Sequence, residues 1–235
     1  LSGALSFTYF SKLFNKPFIY NASLIVDGTE KDAERIKGFF GATLILKKTE
    51  RTTIGANTYT LDPAVFPNAA VLKQNHNAGR LRATNLNGNT DADADYEQIR
   101  ILGARSFSIF NADTKAIVFD SGDDFEMYTA MTPSISPIFN ADHGDNVKKG
   151  RSRAKGPEPE GITIAEIAGK TFAFITLERV GGVMVYDVTN PADVKFVDYK
   201  NSRSVSAYSG DLGPEGVTFI KAANKQLYLQ DNEGG

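Results

Sequence analysis

One segment occurs twice in the C-terminal half of the chain, and it constrains the fold more than any other feature. Residues 156–161 read Gly-Pro-Glu-Pro-Glu-Gly and residues 213–216 read Gly-Pro-Glu-Gly, and an apolar stretch follows each. In both copies a second glutamate follows the first at the same distance, since 178 minus 160 equals 233 minus 215. The matching residues are Glu160 with Glu215 and Glu178 with Glu233. Such a recurrence at a fixed offset indicates an internal structural repeat.

Short strands joined by tight turns are expected to build this repeat. From residue 156 onward, apolar stretches of about five residues alternate with turns rich in Gly, Asn, Asp and Pro. Residues 106–122 and 183–199 each read as a hairpin, and we interpret them as the outer strand pairs of two blades. The sequence therefore predicts an all-β fold, a β-propeller, with one short surface helix within residues 68–75.

The chain divides into two parts in this interpretation. Residues 1–60 form an N-terminal segment, and residues 61–235 hold the propeller blades, with a long polar insertion at 121–155. The N-terminal segment contains candidate strands at 17–21, 22–26 and 42–46 and a helical turn at 31–37. The chain begins at Leu1 and ends inside the second repeat copy, so we expect a fragment with an incomplete set of blades, which other chains complete.

Composition and the missing motifs exclude several classes of function. A net charge of -2 and a pI near 5.8 leave no electrostatic footprint for nucleic acid. The absence of cysteine excludes disulfides and Cys-ligated metals. No apolar run approaches the roughly 18 residues of a membrane-spanning helix. The sequence contains no Gly-x-Ser-x-Gly elbow, Walker loop or dinucleotide fingerprint. We therefore expect neither a nucleic-acid partner nor a membrane span.

The glutamates of the two Pro-Glu-Gly segments are the strongest candidates for metal ligands. The segment before the innermost strand of a propeller blade points toward the central axis, and Glu160 and Glu215 occupy that position. A preceding proline fixes the approach, and a following glycine permits a close backbone contact or an unusual conformation. Glu158 is a weaker candidate. Glu178 and Glu233 are also weaker, and we expect them at the opposite end of the following strand or in the next turn. Alternatively, the repeat preserves turn geometry alone.

An acidic loop provides a second candidate metal site. Residues 87–97 alternate small residues with the carboxylates of Asp91, Asp93, Asp95 and Glu97. Carboxylates this close repel one another unless water or a cation neutralises them, and Ca²⁺ takes such oxygen ligands. The loop lacks the central glycine and the distal glutamate of an EF-hand. A solvated acidic hairpin therefore remains open as the alternative to a calcium loop.

A basic run lies within the insertion, directly before the first Pro-Glu-Gly segment. It spans residues 148–155 and contains five Lys and Arg residues. Two interpretations stay open: a solvated loop, and a lid that binds phosphate or another anion. His143, between Asp142 and Asp145, is a candidate general acid or metal ligand.

Several motifs together resemble the choice-of-anchor I family. They are Leu61-Asp-Pro, Phe66-Pro-Asn-Ala-Ala, residues 91–97, Arg105-Ser-Phe-Ser-Ile, Asp120-Ser-Gly-Asp-Asp-Phe-Glu, residues 156–161, Leu177-Glu-Arg-Val-Gly-Gly-Val-Met-Val-Tyr-Asp and residues 213–216. The resemblance covers roughly residues 61–235, and it implies an extracellular β-propeller that binds calcium. Members are often described as alkaline-phosphatase-like, and they include mesenchyme-specific cell-surface glycoproteins linked with biomineralisation. Family members usually carry an acidic pair where this chain has Arg153 and Ala154, and this departure weakens or alters any metal site there.

Two functions are consistent with these features. The first is a secreted calcium-binding propeller that acts as a metal-dependent phosphoesterase, with Arg105, Arg179 or the basic run stabilising developing charge on a phosphate ester. The identity of a second metal and that of the nucleophile stay open. The alternative is a non-enzymatic protein of the cell surface or extracellular matrix, of the biomineralisation type, whose acidic loops bind mineral ions or a matrix polymer. An N-glycosylation sequon at Asn21 matters only for a secreted chain.

Overall fold

The structure is a computed structural model that describes residues 9–10, 18–21, 51–85, 88–101 and 105–221. The strands predicted at 22–26 and 42–46, the helical turn predicted at 31–37, and Glu233 lie outside the described residues. The described chain is mostly β, with few helices.

The strands are β1 (Tyr9–Phe10), β2 (Phe18–Asn21), β3 (Arg51–Thr53), β4 (Arg82–Thr84), β5 (Ser108–Asn111), β6 (Ile117–Asp120), β7 (Pro159–Ile167), β8 (Lys170–Leu177), β9 (Val183–Asp187) and β10 (Lys195–Lys200). The helices are α1 (Ala69–Leu72), α2 (Asp124–Met131) and a 3-10 turn at Ser136–Ile138. The strands form a first sheet in the order β1-β2-β5-β6, a second sheet in the order β10-β9-β8-β7, and a small sheet of β3 and β4.

The second sheet is an antiparallel meander of four consecutive strands. A two-residue turn joins β7 to β8, and Ala168 and Gly169 both have positive φ there, as a type I′ hairpin turn requires. The predicted hairpin over residues 183–199 is confirmed as β9 and β10, in which Lys195 lies opposite Asp187. This sheet contains the first Pro-Glu-Gly segment at the start of β7.

The first sheet confirms the predicted hairpin over residues 106–122. Strands β5 and β6 pair antiparallel, and Ser108 lies opposite Asp120. On its other edge, β5 pairs with β2, which falls within the strand predicted at residues 17–21. A strand of the N-terminal segment therefore belongs to the same sheet as residues of the predicted blades.

The insertion at 121–155 differs from the predicted polar loop. Residues 124–131 form α2, so the described chain has two α-helices rather than the one short surface helix that we expected. Phe125 and Thr129 lie one turn apart on the same helix face, and both are buried. Ile138 in the 3-10 turn is buried as well. These buried side chains hold the segment against the core, although its composition resembles a loop.

The main core lies between the first sheet, α2 and the second sheet. Phe107 and Tyr186 stand at its centre with their ring centroids 4.9 Å apart, and both are almost fully buried. Ile175 and Leu177 enter it from β8. A separate small core surrounds Tyr59 beside the β3–β4 sheet. The two larger sheets are thus held together by one continuous apolar layer.

The second Pro-Glu-Gly segment lies across the other face of the second sheet. Residues 212–221 form neither helix nor strand, contrary to the strand that we predicted after Gly216. Phe219 stacks on Phe174 with ring centroids 6.1 Å apart, and the Thr176 hydroxyl lies 3.5 Å from the carbonyl oxygen of Glu215. Strand β8 therefore contacts the core through one face and the second repeat copy through the other.

The described sheets form neither a closed barrel nor a complete propeller. Among the described helices, none is long and apolar enough to cross a membrane.

Candidate metal centre

Three glutamates converge at one end of the second sheet. Glu158, Glu160 and Glu178 each place a carboxylate oxygen within 4.8 Å of the others. All three are buried, with exposed fractions of 3%, 5% and 2% in that order. We refer to them as the glutamate cluster. Buried carboxylates this close need a proton or a cation, because their charges repel strongly in a medium of low dielectric constant.

The β7–β8 hairpin brings these glutamates together. Pro159 lies opposite Leu177, and the backbone N–H of Glu178 donates to the carbonyl of Glu158 at 2.9 Å. Our expectation that Glu178 lies at the opposite end of the strand, apart from Glu160, is therefore wrong. In an antiparallel hairpin, the beginning of the first strand and the end of the second lie at the same end.

A β-bulge sets the direction of Glu160. The register passes from Pro159 opposite Leu177 to Ile162 opposite Ile175, so three steps along β7 match two along β8. The extra residue falls at Glu160 and Gly161. Bulges of this kind redirect a side chain at the end of a ladder.

Gly161 is required here by a close backbone approach, not by an unusual conformation. A Cβ atom at this position would collide with the carbonyl oxygen of Glu215 and lie 2.7 Å from the Thr176 hydroxyl oxygen. That hydroxyl accepts a hydrogen bond from the Gly161 N–H at 2.8 Å. The strained conformation belongs instead to Glu158, whose φ is +52°.

Three cationic side chains surround the cluster. Arg151 contacts Oε1 of Glu158, and the Lys155 ammonium lies 2.7 Å from Oε2 of the same residue. Arg179 contacts two of the glutamates, at 3.3 Å from Oε1 of Glu158 and 2.8 Å from Oε1 of Glu178. Part of the predicted basic run thus folds inward and pairs with buried carboxylates, whereas Arg153 stays exposed.

His143 and Asp142 lie at the rim of the cluster. Nδ1 of His143 is 3.8 Å from Oε1 of Glu178 and also contacts the Arg179 guanidinium. Asp142 lies 3.5 Å from Arg151 and 3.3 Å from Arg179. Of the candidate catalytic residues, His143 and Arg179 therefore belong to this site.

Arg105 has a different role. Its guanidinium lies 2.6 Å from Oε1 of Glu126 on α2 and also donates to the carbonyls of Ser152 and Ala154. These contacts fasten the end of the insertion to α2. Arg105 makes no contact with the glutamate cluster among the described hydrogen bonds and ion pairs.

The three glutamates differ in their protonation. Burial and the neighbouring Glu178 raise the pKa of Glu160 from 4.5 to about 8. Burial also raises the pKa of Glu178. Burial opposes the ionisation of Glu158, but Lys155 and Arg151 outweigh it and hold the pKa of that carboxyl below its usual range. Glu158 is therefore an ionised partner of the cations, while Glu160 keeps a proton near neutral pH.

A divalent cation fits the place of that proton. Glu160 and Glu178 hydrogen-bond to each other through that proton, and Oε2 of Glu178 is buried with no other donor in the described part of the chain. Glu160 makes no ion pair with any residue in the described part of the chain. Both oxygens of Glu158, in contrast, already contact cationic side chains. Glu160 and Glu178 are thus the residues that would hold a cation, and Glu158 positions the basic side chains around them.

Glu215 does not join the cluster through its side chain. Its backbone carbonyl approaches Gly161 and Thr176, but the residue is exposed. Nearby, a Cβ atom built on Gly213 would lie 3.9 Å from the carbonyl oxygen of Glu178. The two Pro-Glu-Gly segments therefore meet through their backbones, beside the cluster.

The acidic loop is a separate group in which Asp91 and Asp93 are exposed and Asp95 and Glu97 are half-buried. Asp91, Asp93 and Glu97 place carboxylate oxygens within 4.8 Å of one another, and Asp95 and Glu97 do so with Asp62. The loop bonds to its own backbone: the Asp95 N–H donates to Asp93 at 2.8 Å, and the Thr90 hydroxyl donates to Glu97 at 2.8 Å. These turns explain much of its acidic sequence without a metal.

Sequence reasoning missed Arg151 and Lys155 as direct partners of the cluster, and it missed Asp142 as a partner of Arg151 and Arg179. Arg151 and Lys155 could have been found from their positions, because they lie seven and three residues before Glu158. Asp142 offered no such signal, because its contacts with Arg151 and Arg179 depend on how the insertion folds.

Comparison with known proteins places the chain in a family. The family model of the Choice-of-anchor I domain matches residues 26–191, more than two thirds of the chain. The chain belongs to the choice-of-anchor I family. Gigasin-3a of Magallana gigas is 29% identical over 99 residues, which are 40% of this chain and 34% of Gigasin-3a. The matched stretch is thus about a third of that relative's length. No solved structure matches the chain.

The resemblance to the choice-of-anchor I family is therefore confirmed, although its limits differ. The match begins at residue 26, earlier than the resemblance around residue 61, and ends at residue 191. The glutamate cluster and its three cations fall inside the matched choice-of-anchor I domain, whereas Glu215 lies beyond it.

Proposed function

We propose that this choice-of-anchor I domain is a calcium-binding β-propeller domain of a secreted or cell-surface protein. The observation that carries the proposal is the convergence of Glu158, Glu160 and Glu178 in a buried site. There, Glu160 and Oε2 of Glu178 have no cationic partner in the described part of the chain. Bound Ca²⁺ would supply positive charge to oxygen ligands in flexible geometry, which suits two carboxylates at a hairpin end. We assign the cation as calcium because its proposed ligands are hard carboxylate oxygens and the chain contains no cysteine.

The propeller part of the proposal is supported by the strand order. The second sheet is a four-stranded antiparallel meander, which is the unit from which propeller blades are built. The first sheet packs on one of its faces, and the second repeat copy lies on the other. Neighbouring blades occupy these two positions in a propeller, and Glu160 then begins the innermost strand.

The extracellular location rests on family membership, and the sequon at Asn21 is compatible with it. The partners proposed for such a domain are mineral ions or a matrix polymer. The acidic loop, with Asp91, Asp93, Asp95 and Glu97, is proposed as a second and weaker calcium position, because it is less buried than the glutamate cluster and accepts hydrogen bonds from its own backbone. Oδ1 of Asp95 and Oε1 of Glu97 are buried without a partner among the described residues and are the oxygens that a cation would contact there.

A second candidate function is metal-dependent phosphoester hydrolysis. It is favoured by Arg151 and Arg179, whose guanidinium groups contact the glutamate cluster and could stabilise charge on a phosphoryl group. His143 at the rim could transfer a proton, and Arg179 beside it fixes its ring. The burial of all three glutamates weighs against this candidate, because a substrate must reach a catalytic metal. Non-enzymatic calcium binding is therefore the function that the site supports best.

Calcium titration by isothermal calorimetry tests the first proposal. We expect the wild-type chain to bind Ca²⁺, and the variants Glu160→Gln and Glu178→Gln to bind it at least about tenfold more weakly. Glu166→Gln is the matched control, because Glu166 lies on the same strand β7 but is exposed. Equal affinity in Glu160→Gln and Glu166→Gln would exclude the glutamate cluster as the calcium site.

The same set of proteins separates the two candidate functions. Hydrolysis of p-nitrophenyl phosphate is measured with Ca²⁺ and with chelator, for the wild type, Glu160→Gln and His143→Gln. We expect no calcium-dependent turnover above the chelator control. Turnover that Ca²⁺ restores and that both variants lose would instead establish the phosphoesterase.

A further inference from the structure

One buried arginine outside the glutamate cluster joins two segments that border it. Arg203 follows β10 and is almost fully buried, and each of its described hydrogen bonds ends on a neutral oxygen. Its guanidinium donates to the carbonyl of Arg179 at 2.7 Å, to the carbonyl of Asp142 at 2.7 Å, and to the carbonyl of Asp145. Arg203 therefore connects the turn after β8 to residues 142–146 of the insertion, which we call the rim segment.

Asn146 provides a second connection for the rim segment. Its Oδ1 accepts hydrogen bonds from the guanidinium of Arg203, at 2.8 Å from Nη2 and 3.2 Å from Nε. Its Nδ2 donates to the carbonyls of Ser204 and Ala207, both at 3.1 Å. Arg203 and Asn146 thus fasten the end of the rim segment to the loop that follows β10.

The rim segment lies where solvent comes closest to the glutamates. Nδ1 of His143 is 3.8 Å from Oε1 of Glu178, and the His143 side chain is 44% exposed, whereas that of Glu178 is 3% exposed. The cationic neighbours of the cluster are less exposed, with 17% for Arg151, 15% for Lys155 and 5% for Arg179. Among the described neighbours of the glutamates, His143 is therefore the side chain that faces solvent most.

We propose that the rim segment closes the glutamate cluster, and that Arg203 and Asn146 hold it closed except during the local openings that admit a cation. Surface segments held by a few hydrogen bonds open in this way while the rest of the fold stays intact. The identity of the entering ion rests on the calcium function proposed above. The closure itself does not, so the two can be tested separately.

The contacts of the rim segment suit a part that opens. Gly144 and Asp145 are exposed, and a Cβ atom built on Gly144 would have nothing within 4 Å. The segment is fastened mainly by neutral hydrogen bonds to Arg203 and from Asn146, each of which contributes modestly to stability. Arg151 further along the insertion is instead paired with the buried Glu158. Opening is therefore expected at residues 142–146, before this ion pair.

Carboxyl labelling with a carbodiimide and glycine ethyl ester tests the closure without any cation. The protein is labelled in metal-depleted buffer, and peptide mass spectrometry follows Glu160 and Glu178, with the exposed Glu166 of β7 as the internal standard. In the wild type we expect both buried glutamates to be labelled far more slowly than Glu166. Asn146→Ala and Arg203→Lys should each raise their labelling rates about tenfold, the change in opening expected when one or two hydrogen bonds are lost.

Asn190→Ala is the matched control. Asn190 is exposed, and its Oδ1 accepts a hydrogen bond from the Ala192 N–H at 3.1 Å in a turn between β9 and β10. Circular dichroism and thermal unfolding identify the folded variants, and the half-buried Asn146 is the milder change if Arg203→Lys does not fold. Unchanged labelling of Glu160 and Glu178 in folded Asn146→Ala would overturn the proposal. An equal acceleration in Asn190→Ala would overturn it too, because it would show a general loosening of the fold.

Calcium kinetics test what passes the rim segment. Asn146 contacts none of the three glutamates among the described hydrogen bonds, so Asn146→Ala should accelerate the release of Ca²⁺ into a fluorescent chelator about tenfold and leave the calorimetric Kd unchanged. A Kd that rises as much as the release rate would show that Asn146 supports binding instead of closure, against the proposal. If the wild type binds no Ca²⁺, the calcium function fails, and the labelling rates alone decide whether the rim segment closes the cluster.

Discussion

Glu160 and Glu178 lie at the same end of one hairpin, although the chain between them makes a complete strand, a turn and a second strand. The pairing of Pro159 with Leu177 places them there, and the bulge at Glu160 and Gly161 orients the first carboxyl. Burial and mutual repulsion then leave a proton on this pair, because all three surrounding cations contact Glu158 and only Arg179 also contacts Glu178. In the described part of the chain, no cationic side chain pairs with Glu160 or with Oε2 of Glu178, and the site is short of positive charge there.

The stability of the calcium-free protein should fall as the pH rises. The pKa of Glu160 is raised in the folded state from 4.5 to about 8, so between these values the folded chain binds more protons than the unfolded chain. Raising the pH through this window therefore lowers the free energy of unfolding. Urea unfolding at several pH values in chelator checks the slope, and Glu160→Gln should flatten it. A wild-type free energy of unfolding that rises across the window would contradict the assigned protonation.

Gly161→Ala should destabilise the fold more than Gly216→Ala. A Cβ atom at Gly161 collides with the Glu215 carbonyl and crowds Thr176, whereas nothing lies within 4 Å of a Cβ at Gly216. We expect a cost of about 1–3 kcal/mol at Gly161 and little change at Gly216. Thermal or chemical denaturation measures both, and equal effects would indicate that the two repeat copies do not meet as described.

Loss of Arg179 should be costly because it leaves buried carboxylates without their shared partner. Arg179 is almost fully buried and contacts Glu158, Glu178 and Asp142. Arg179→Met should lower the free energy of unfolding by about 3–5 kcal/mol.

The control for Arg179 is Lys170→Met, which breaks an ion pair with Asp187 on the exposed side of the second sheet. That pair should contribute no more than about 1 kcal/mol. Similar losses in the two variants would mean that the buried network does not stabilise the fold.

Phe107→Ala should destabilise the protein severely. Its ring is fully buried, and it contacts Phe125 of α2 and Tyr186 of β9, so the change opens a cavity where three elements meet. We expect a loss of about 3–5 kcal/mol, against a small effect for Val197→Ala, whose side chain is exposed on β10. Chemical denaturation of the two variants measures the difference, and a small loss at Phe107 would contradict the shared core.

The sequence was sufficient to predict those elements whose structure depends on residues that are close together in the chain. The hairpins over residues 106–122 and 183–199 follow from alternating apolar residues and turn residues, and the family follows from its combined motifs. Helix α2 was missed because its apolar residues are distributed around the helix instead of lying on one face, so its amphipathic pattern is weak. It forms because Phe125 has the main core to pack against.

The sequence by itself determined the candidate ligands: glutamates flanked by proline and glycine, at a spacing that recurs. Only the tertiary structure decided which of them meet. It joined Glu178 and Glu158 to Glu160, left the side chain of Glu215 outside, and brought Arg151, Lys155 and Arg179 to the site. The physical reason is that charge neutralisation acts through space. Residues far apart in sequence exclude water around a carboxyl group and balance its charge. A local sequence pattern does not show which residues these are.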